Sequence, residues 1–233
     1  MSIDTPPPAL LFAVEPARAL IGLTELAVRW RSLPMDRVGR GRPVMLLPGL
    51  ANNDASSTIL KRYLLRLGYR AEGWGLGVNR GVPTVGADLG RLIGRVEAMS
   101  AAAGGQKVAL VGTSLGGILS RLVAHRRPDL VSRVVTISSP FAGPGRATNV
   151  WRVYELLAGE KIDDPQVRDR LAEAVRPLPV PSTAIWSRSD GFVQGMNCVT
   201  ADDPNCRAVE VRSSHLLVQC RAAVLRAVAE GLA

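Results

Sequence analysis

The 233-residue chain is poor in histidine, cysteine, lysine and aromatic side chains, and each scarcity narrows what it can do. Two histidines and three cysteines, with neither an HExxH nor a CxxC among them, speak against a metal centre; neither a metal nor a cofactor is expected. Aromatics at 4% and arginines scattered along the chain speak against a nucleic-acid partner. Lysine occurs only at 61, 107 and 161, although 29 basic against 20 acidic residues leave a net charge of +9. That charge implies a modest attraction to anionic surfaces and little more. Long apolar runs are also missing. The run from Leu10 to Val14 is broken by Glu15 and then Arg18, too short to span a bilayer, and no cationic residue precedes it as in a secretory signal. The expected compartment is the cytoplasm.

Apolar residues make up 47% of the chain, enough for one sizeable core. The first 42 residues read as an N-terminal extension. Its helix, from about Pro16 to Arg31, places Leu20, Leu23, Ala27 and Trp30 on one face. From residue 43 to the end an α/β rhythm takes over. Short apolar runs at Pro43–Leu47, Tyr69–Trp74, Lys107–Val111, Val131–Ile137, Thr183–Trp186 and Val209–Val211 read as strands. Helical spacing appears at Ser57–Gly68, Asp88–Met99, Leu115–His125 and Leu216–Leu232. Alternation of this kind predicts one α/β domain, a mainly parallel sheet with helices on both faces. The strandless stretch of about 141–181 is the natural cap or lid over one end of that sheet.

The strongest chemical signal is Gly112-Thr-Ser114-Leu-Gly116, set between an apolar strand and a helix. A serine there is forced onto a tight corner that projects its hydroxyl, with glycine two residues to either side because the backbones come too close for side chains. The corner also aims the Leu115 amide and the positive helix end at an oxyanion forming beside Ser114. A nucleophilic serine needs a base. His125 lies about 16 Å along the helix leaving the corner, by helical rise, and reads as a helix-end or surface residue. His215, in the loop after the last strand, is the candidate. The acid that orients it should follow a strand and lie between serine and histidine, which selects Asp190. Asp202 and Asp203, in a polar loop, read as solvated turn formers. The turn Pro48-Gly49-Leu50 after the first strand offers the Leu50 amide as the second oxyanion donor.

These features resemble the α/β-hydrolase fold superfamily, its lipase and esterase branches in particular. The resemblance rests on Leu47-Pro-Gly-Leu50, Gly68-Tyr69 leading into Gly73-Trp-Gly75, Gly112–Gly116, Ser187-Arg-Ser-Asp190-Gly and Ser214-His215, and so spans the chain from about Pro43 onward. It implies an acyl-enzyme on Ser114 and a second half-reaction driven by water. Two features depart from the pattern: Pro48 stands where a histidine usually precedes the oxyanion glycine, and no leading antiparallel hairpin is visible, which implies a reduced sheet. Esters of small-molecule or lipid-like character are the expected substrates, with an apolar acyl pocket shaped by Phe141, Val150, Trp151, Val153, Leu156 and Leu157. An acyltransferase, thioesterase or amidase would use the same three residues; a binding protein on a hydrolase scaffold is the reading from another class.

Weaker signals remain. Cys198 and Cys206 either form a disulfide or stay free thiols, as expected in a reducing compartment. The glycine-dense loop Gly73–Arg80 lacks GxGxxG spacing and is expected to line the cleft near Ser114 rather than hold a dinucleotide. Arg29, Arg31, Arg37, Arg40 and Arg42, beside an apolar helical face, either contact an anionic membrane surface weakly or form an ordinary solvated surface.

Overall fold

A computed structural model describes residues 4–200 and 203–233. Two N-terminal helices, α1 (Ala9–Ala13) and α2 (Glu15–Arg29), precede β1 (Pro43–Leu47), α3 (Thr58–Arg66) and β2 (Arg70–Gly73). A short α4 (Val82–Val85) and α5 (Gly90–Ala102) lead into β3 (Val108–Thr113), α6 (Leu115–Arg126) and β4 (Val131–Ile137). The strandless stretch carries α7 (Trp151–Ala158) and α8 (Pro165–Val175), followed by β5 (Ser182–Trp186), β6 (Cys206–Glu210) and α9 (Ala222–Leu232).

The six strands form one sheet in the order β2-β1-β3-β4-β5-β6, and every pairing is parallel. The apolar runs are continuous because both faces are covered. Along β1, Val44 and Leu46 enter the core shared with α2, α3 and α9, whereas Met45 and Leu47 enter the one shared with α5 and α6. β2 and β3 lie on opposite sides of β1, so the winding direction reverses between β1 and β3. Crevices at such reversals, outside the carboxyl ends of the strands, are where α/β sheets bind ligands. Among the described residues, no helix is long and apolar enough to cross a membrane.

Three elements differ clearly from the expectation, the first being the last strand, which runs over Cys206–Glu210 rather than Val209–Val211. The last helix begins at Ala222 rather than Leu216, because Leu217 adopts a left-handed φ of 54° and Arg221 is extended. In α2 the buried stripe is Glu15, Ala19, Gly22 and Leu26, offset from the predicted face, and Leu20 is 64% exposed. Leu23 and Trp30 do pack against the core, along with buried Leu26 and Leu33.

Arg121, buried in the middle of α6, ties that helix to the cap. Its guanidinium donates to the carbonyls of Ala174 and Arg176, lies 3.9 Å from the Phe141 ring centroid and pairs with Asp203 at 3.7 Å. Asp203 is therefore no solvated turn former: it is buried and also accepts from the amides of Leu178 and Asn205. Removing one member of a buried ion pair leaves an uncompensated charge. Asp203→Ala is expected to cost about 3–5 kcal/mol of stability, read as a lower midpoint in urea denaturation.

Candidate active site

The corner between β3 and α6 is tight in the way its chemistry requires. Ser114 holds φ 51° and ψ −121°, a strained backbone for a residue with a side chain, and its amide donates to the Ile137 carbonyl on β4 at 2.8 Å. A Cβ at Gly112 would collide with the Gly116 carbonyl, and one at Gly116 with the carbonyls of Leu47 and Pro48. Glycine at both positions lets the end of β1 and the start of α6 meet backbone to backbone.

Asp190 and His215 come together directly, Asp190 Oδ2 lying 2.8 Å from His215 Nδ1. The other carboxylate oxygen accepts from the Phe192 and Val193 amides at 2.9 and 3.0 Å, so Asp190 is buried with both oxygens occupied. Phe192 stacks on the imidazole, 4.9 Å between centroids. Burial opposes the charged imidazole, but the charge and hydrogen bond of Asp190, with the charge of Glu15 behind them, outweigh it. The His215 pKa is accordingly held above its ordinary 6.5. Nearby, burial first and then the Asp190 charge push the Cys198 thiol well up, so it stays protonated and inert. Cys198, Cys206 and Cys220 are all free.

Ser114 lines a cavity at the sheet's carboxyl edge together with Leu50, Leu115, Val193 and the cap residues Trp151 and Tyr154. The glycine that precedes Leu50 is close to Ser114: a Cβ at Gly49 would sit 3.3 Å from that of Ser114. Among the described residues, neither the Leu50 nor the Leu115 amide donates to a protein acceptor, so both remain available to a bound group. Among the described residues, no hydrogen bond joins the Ser114 hydroxyl to His215, whose bonded partner is Asp190.

The remaining expectations divide. His125 lies in the last turn of α6, as expected, and is half-buried with Nε2 unpartnered; burial followed by the charges of Arg176 and Arg121 lowers its pKa. Asp202 lies outside the described residues. Val150 and Trp151 line the cavity as expected, but Val153 and Leu156 face outward and Phe141 packs under Arg121. Tyr154, Ile162, Val167 and Leu171 take their places. The loop Gly73–Arg80 does not line the cavity as expected; only Gly81 and Val82, just beyond it, do. Among the described residues, no three His, Cys, Asp or Glu gather as metal ligands.

Several residues that build the site escaped the sequence reading. Asn79, fully buried, donates to the Pro48 carbonyl at 2.7 Å and accepts from the Gly81 amide, fastening the turn that carries Leu50. Thr113 donates to Gln219 at 2.8 Å, and Gln219 in turn donates to the Ser56 carbonyl. Ser187 Oγ donates to the Ser213 carbonyl and accepts from the Ser213 amide, joining the loops that carry Asp190 and His215. Glu15 accepts from amides on those same two loops. A lone polar residue in a loop or helix carries no local mark of such a role.

A family model described as the alpha/beta hydrolase fold matches residues 88–175, which include Ser114 and most of the cap. The chain is similar to a triacylglycerol lipase of Burkholderia plantarii, 33% identical over 204 residues, covering 78% of this chain and 57% of the relative. It is likewise similar to a triacylglycerol lipase of Pseudarthrobacter phenanthrenivorans, 35% identical over 63% of this chain and 53% of the relative. The chain thus spans little more than half the length of these curated relatives. Among solved structures, the mature lipase of Bacillus licheniformis superposes with a TM-score of 0.56 at 15% identity, covering 78% of this chain and 87% of that one. The parallel sheet, the strained serine corner at its crossover and these likenesses agree: the chain has the α/β-hydrolase fold.

Proposed function

We propose that the protein is a cofactor-free serine hydrolase of carboxylic esters that works through an acyl-enzyme on Ser114. The observation that carries this reading is the 2.8 Å bond between Asp190 and His215, in a protein whose Ser114 sits on a strained corner at the mouth of an apolar cavity. Asp190 accepts a hydrogen bond from the Nδ1–H of His215, fixing the tautomer that leaves Nε2 free as a base. His215 takes the hydroxyl proton as Ser114 attacks the ester carbonyl, and the amides of Leu50 and Leu115 receive the oxyanion. His215 then protonates the departing alcohol, and water repeats the sequence on the acyl-enzyme.

The cavity wall of Val150, Trp151, Ile162, Val167 and Leu171 suits an aliphatic or lipid-like acyl group. The triacylglycerol lipases among the relatives point the same way. A cytoplasmic location forms part of the proposal, supported by the three free thiols.

A fluorophosphonate probe should label the wild-type protein, and Ser114→Ala should abolish labelling; a folded wild type that resists the probe would refute the hydrolase reading. His215→Ala should remove turnover of an activated ester, whereas His125→Ala should retain most of it.

Because His215 must be neutral to act as base and its pKa is raised, kcat/KM should increase with pH through a midpoint above 6.5. Asp190→Asn removes the charge and acceptor that oppose the effect of burial. Its midpoint should fall, and its rate should drop by about 10³–10⁴-fold, the scale seen when a triad aspartate is neutralised. A pH–rate series on both proteins checks this.

A further inference from the structure

Glu15 is the most deeply buried carboxylate outside the sheet, with 0% exposure, at the first residue of α2. Its two oxygens are spent on loops far away in sequence. One accepts from the Gly191 amide at 2.8 Å; the other accepts from the amides of His215 and Leu216 at 2.7 and 2.9 Å. Arg18, one turn further along, donates to the Ser189 carbonyl and hydroxyl and to the Ser213 carbonyl, and lies 3.4 Å from Glu15. A single helical turn therefore holds the backbone on both sides of Asp190 and around His215.

Most other ties hold one loop without crossing to its neighbour: Asn149 donates to the Gly191 and Phe192 carbonyls from outside, and Arg188 pairs with Glu210 at the end of β6. The ladder between β5 and β6 ends at Trp186 and Glu210, and the Val211 amide bonding to the Trp186 carbonyl is its last rung. Beyond that rung, Ser187 and Ser189 join Ser213, Asp190 meets His215, and Glu15 with Arg18 binds both loops from the side of α2. The helix reaches them because residue 191 is glycine: a Cβ there would lie 2.5 Å from the Leu11 carbonyl and 2.8 Å from Glu15 Cγ. On the outer side Phe12 of α1 packs on Phe192, 5.1 Å between centroids, and Phe192 stacks on His215.

We propose that Glu15 is a positioning residue for the acid–histidine pair: its carboxylate sets the separation of the Asp190 and His215 loops, which makes helix α2 part of the active site. The inference rests on the hydrolase reading above. A carboxylate in this place also adds negative charge behind an imidazole that turns cationic during the reaction. The charged and titratable groups facing His215 are Asp190 on its own side, Glu15 and Arg18 from α2, and the Cys198 thiol beside Asp190; Arg221 stands behind Arg18, bonded to its carbonyl and to Glu25.

The test is Glu15→Gln and Glu15→Asp, assayed with a chromogenic ester across pH, with Glu25→Gln as control. Glutamine keeps the shape but presents a donor to amides that are themselves donors, and it carries no charge. Its kcat should fall by about 10–100-fold, the scale of a misplacement near 1 Å, with little change in KM, and its kcat/KM midpoint should move to lower pH. Aspartate keeps the charge on a shorter stem, so its kcat should fall while its midpoint stays close to wild type. Glu25→Gln changes a carboxylate of the same helix that serves only Arg29 and Arg221, and should leave both quantities unchanged. A folded Glu15→Gln with wild-type kcat, or with reduced kcat but an unmoved midpoint, overturns the proposal. So does failure of Glu15→Gln to fold alongside a fully active Glu15→Asp, or failure of both to fold, either of which assigns the carboxylate to folding alone. A wild type that neither turns over ester nor takes up a fluorophosphonate defeats the hydrolase reading instead, an outcome independent of any change at Glu15.

Discussion

At Gly116 the first turn of α6 presses against the carbonyls of Leu47 and Pro48 more closely than any side chain would permit. From this contact the rest of the rim takes its position. It brings the turn after β1 alongside the turn after β3, so Leu50 and Leu115 face one cavity with Ser114 between them. It sits where the strand order reverses, so the crevice opens outward rather than into a helix layer. The strain in the Ser114 backbone is sustained by its neighbours: the amide bond to Ile137 on one side, and the first turn of α6 folding back onto the Ser114 carbonyl on the other.

The acid–histidine half of the site is built differently. Asp190 and His215 stand on loops beyond the last rung of the β5–β6 ladder, where the regular hydrogen bonds of the sheet are exhausted. Side chains take over the task. Asp190 caps the amides of its own turn, Ser187 bridges to Ser213, and the Glu15–Arg18 turn of α2 binds both loops from outside. Asp190, Ser187 and Glu15 are buried and Arg18 is half-buried, all with polar partners, and such networks rigidify when complete and are costly when broken. The same principle recurs under the cap, where Arg121 links α6, the end of α8 and Asp203.

Charge placement distinguishes the two histidines. His215 faces Asp190, with Glu15 behind it, and its cation is favoured despite burial. His125 faces Arg176 and Arg121 in a half-buried setting, and its cation is disfavoured. One chain thus holds two imidazoles whose environments push in opposite directions, and only the first has a carboxylate on its Nδ1.

The α/β architecture is legible in the residue pattern alone, because strands buried on both faces must read as unbroken apolar runs and helices on a sheet must repeat at 3.6 residues. The pattern also marked the serine corner, since Gly112 and Gly116 record a steric demand that is local to five residues. What it left open was everything set by contacts distant in the chain. Nothing near Glu15 announces that its carboxylate will meet amides some 200 residues away, and Asp203 looked like a turn residue until Arg121 arrived from another helix. The direction in which Trp151, Tyr154 and Leu156 point was likewise decided by how α7 settles over the cavity, since one helix can bury only one of its faces. Local rules specify which element forms; the partners of its polar side chains exist only once the elements have packed.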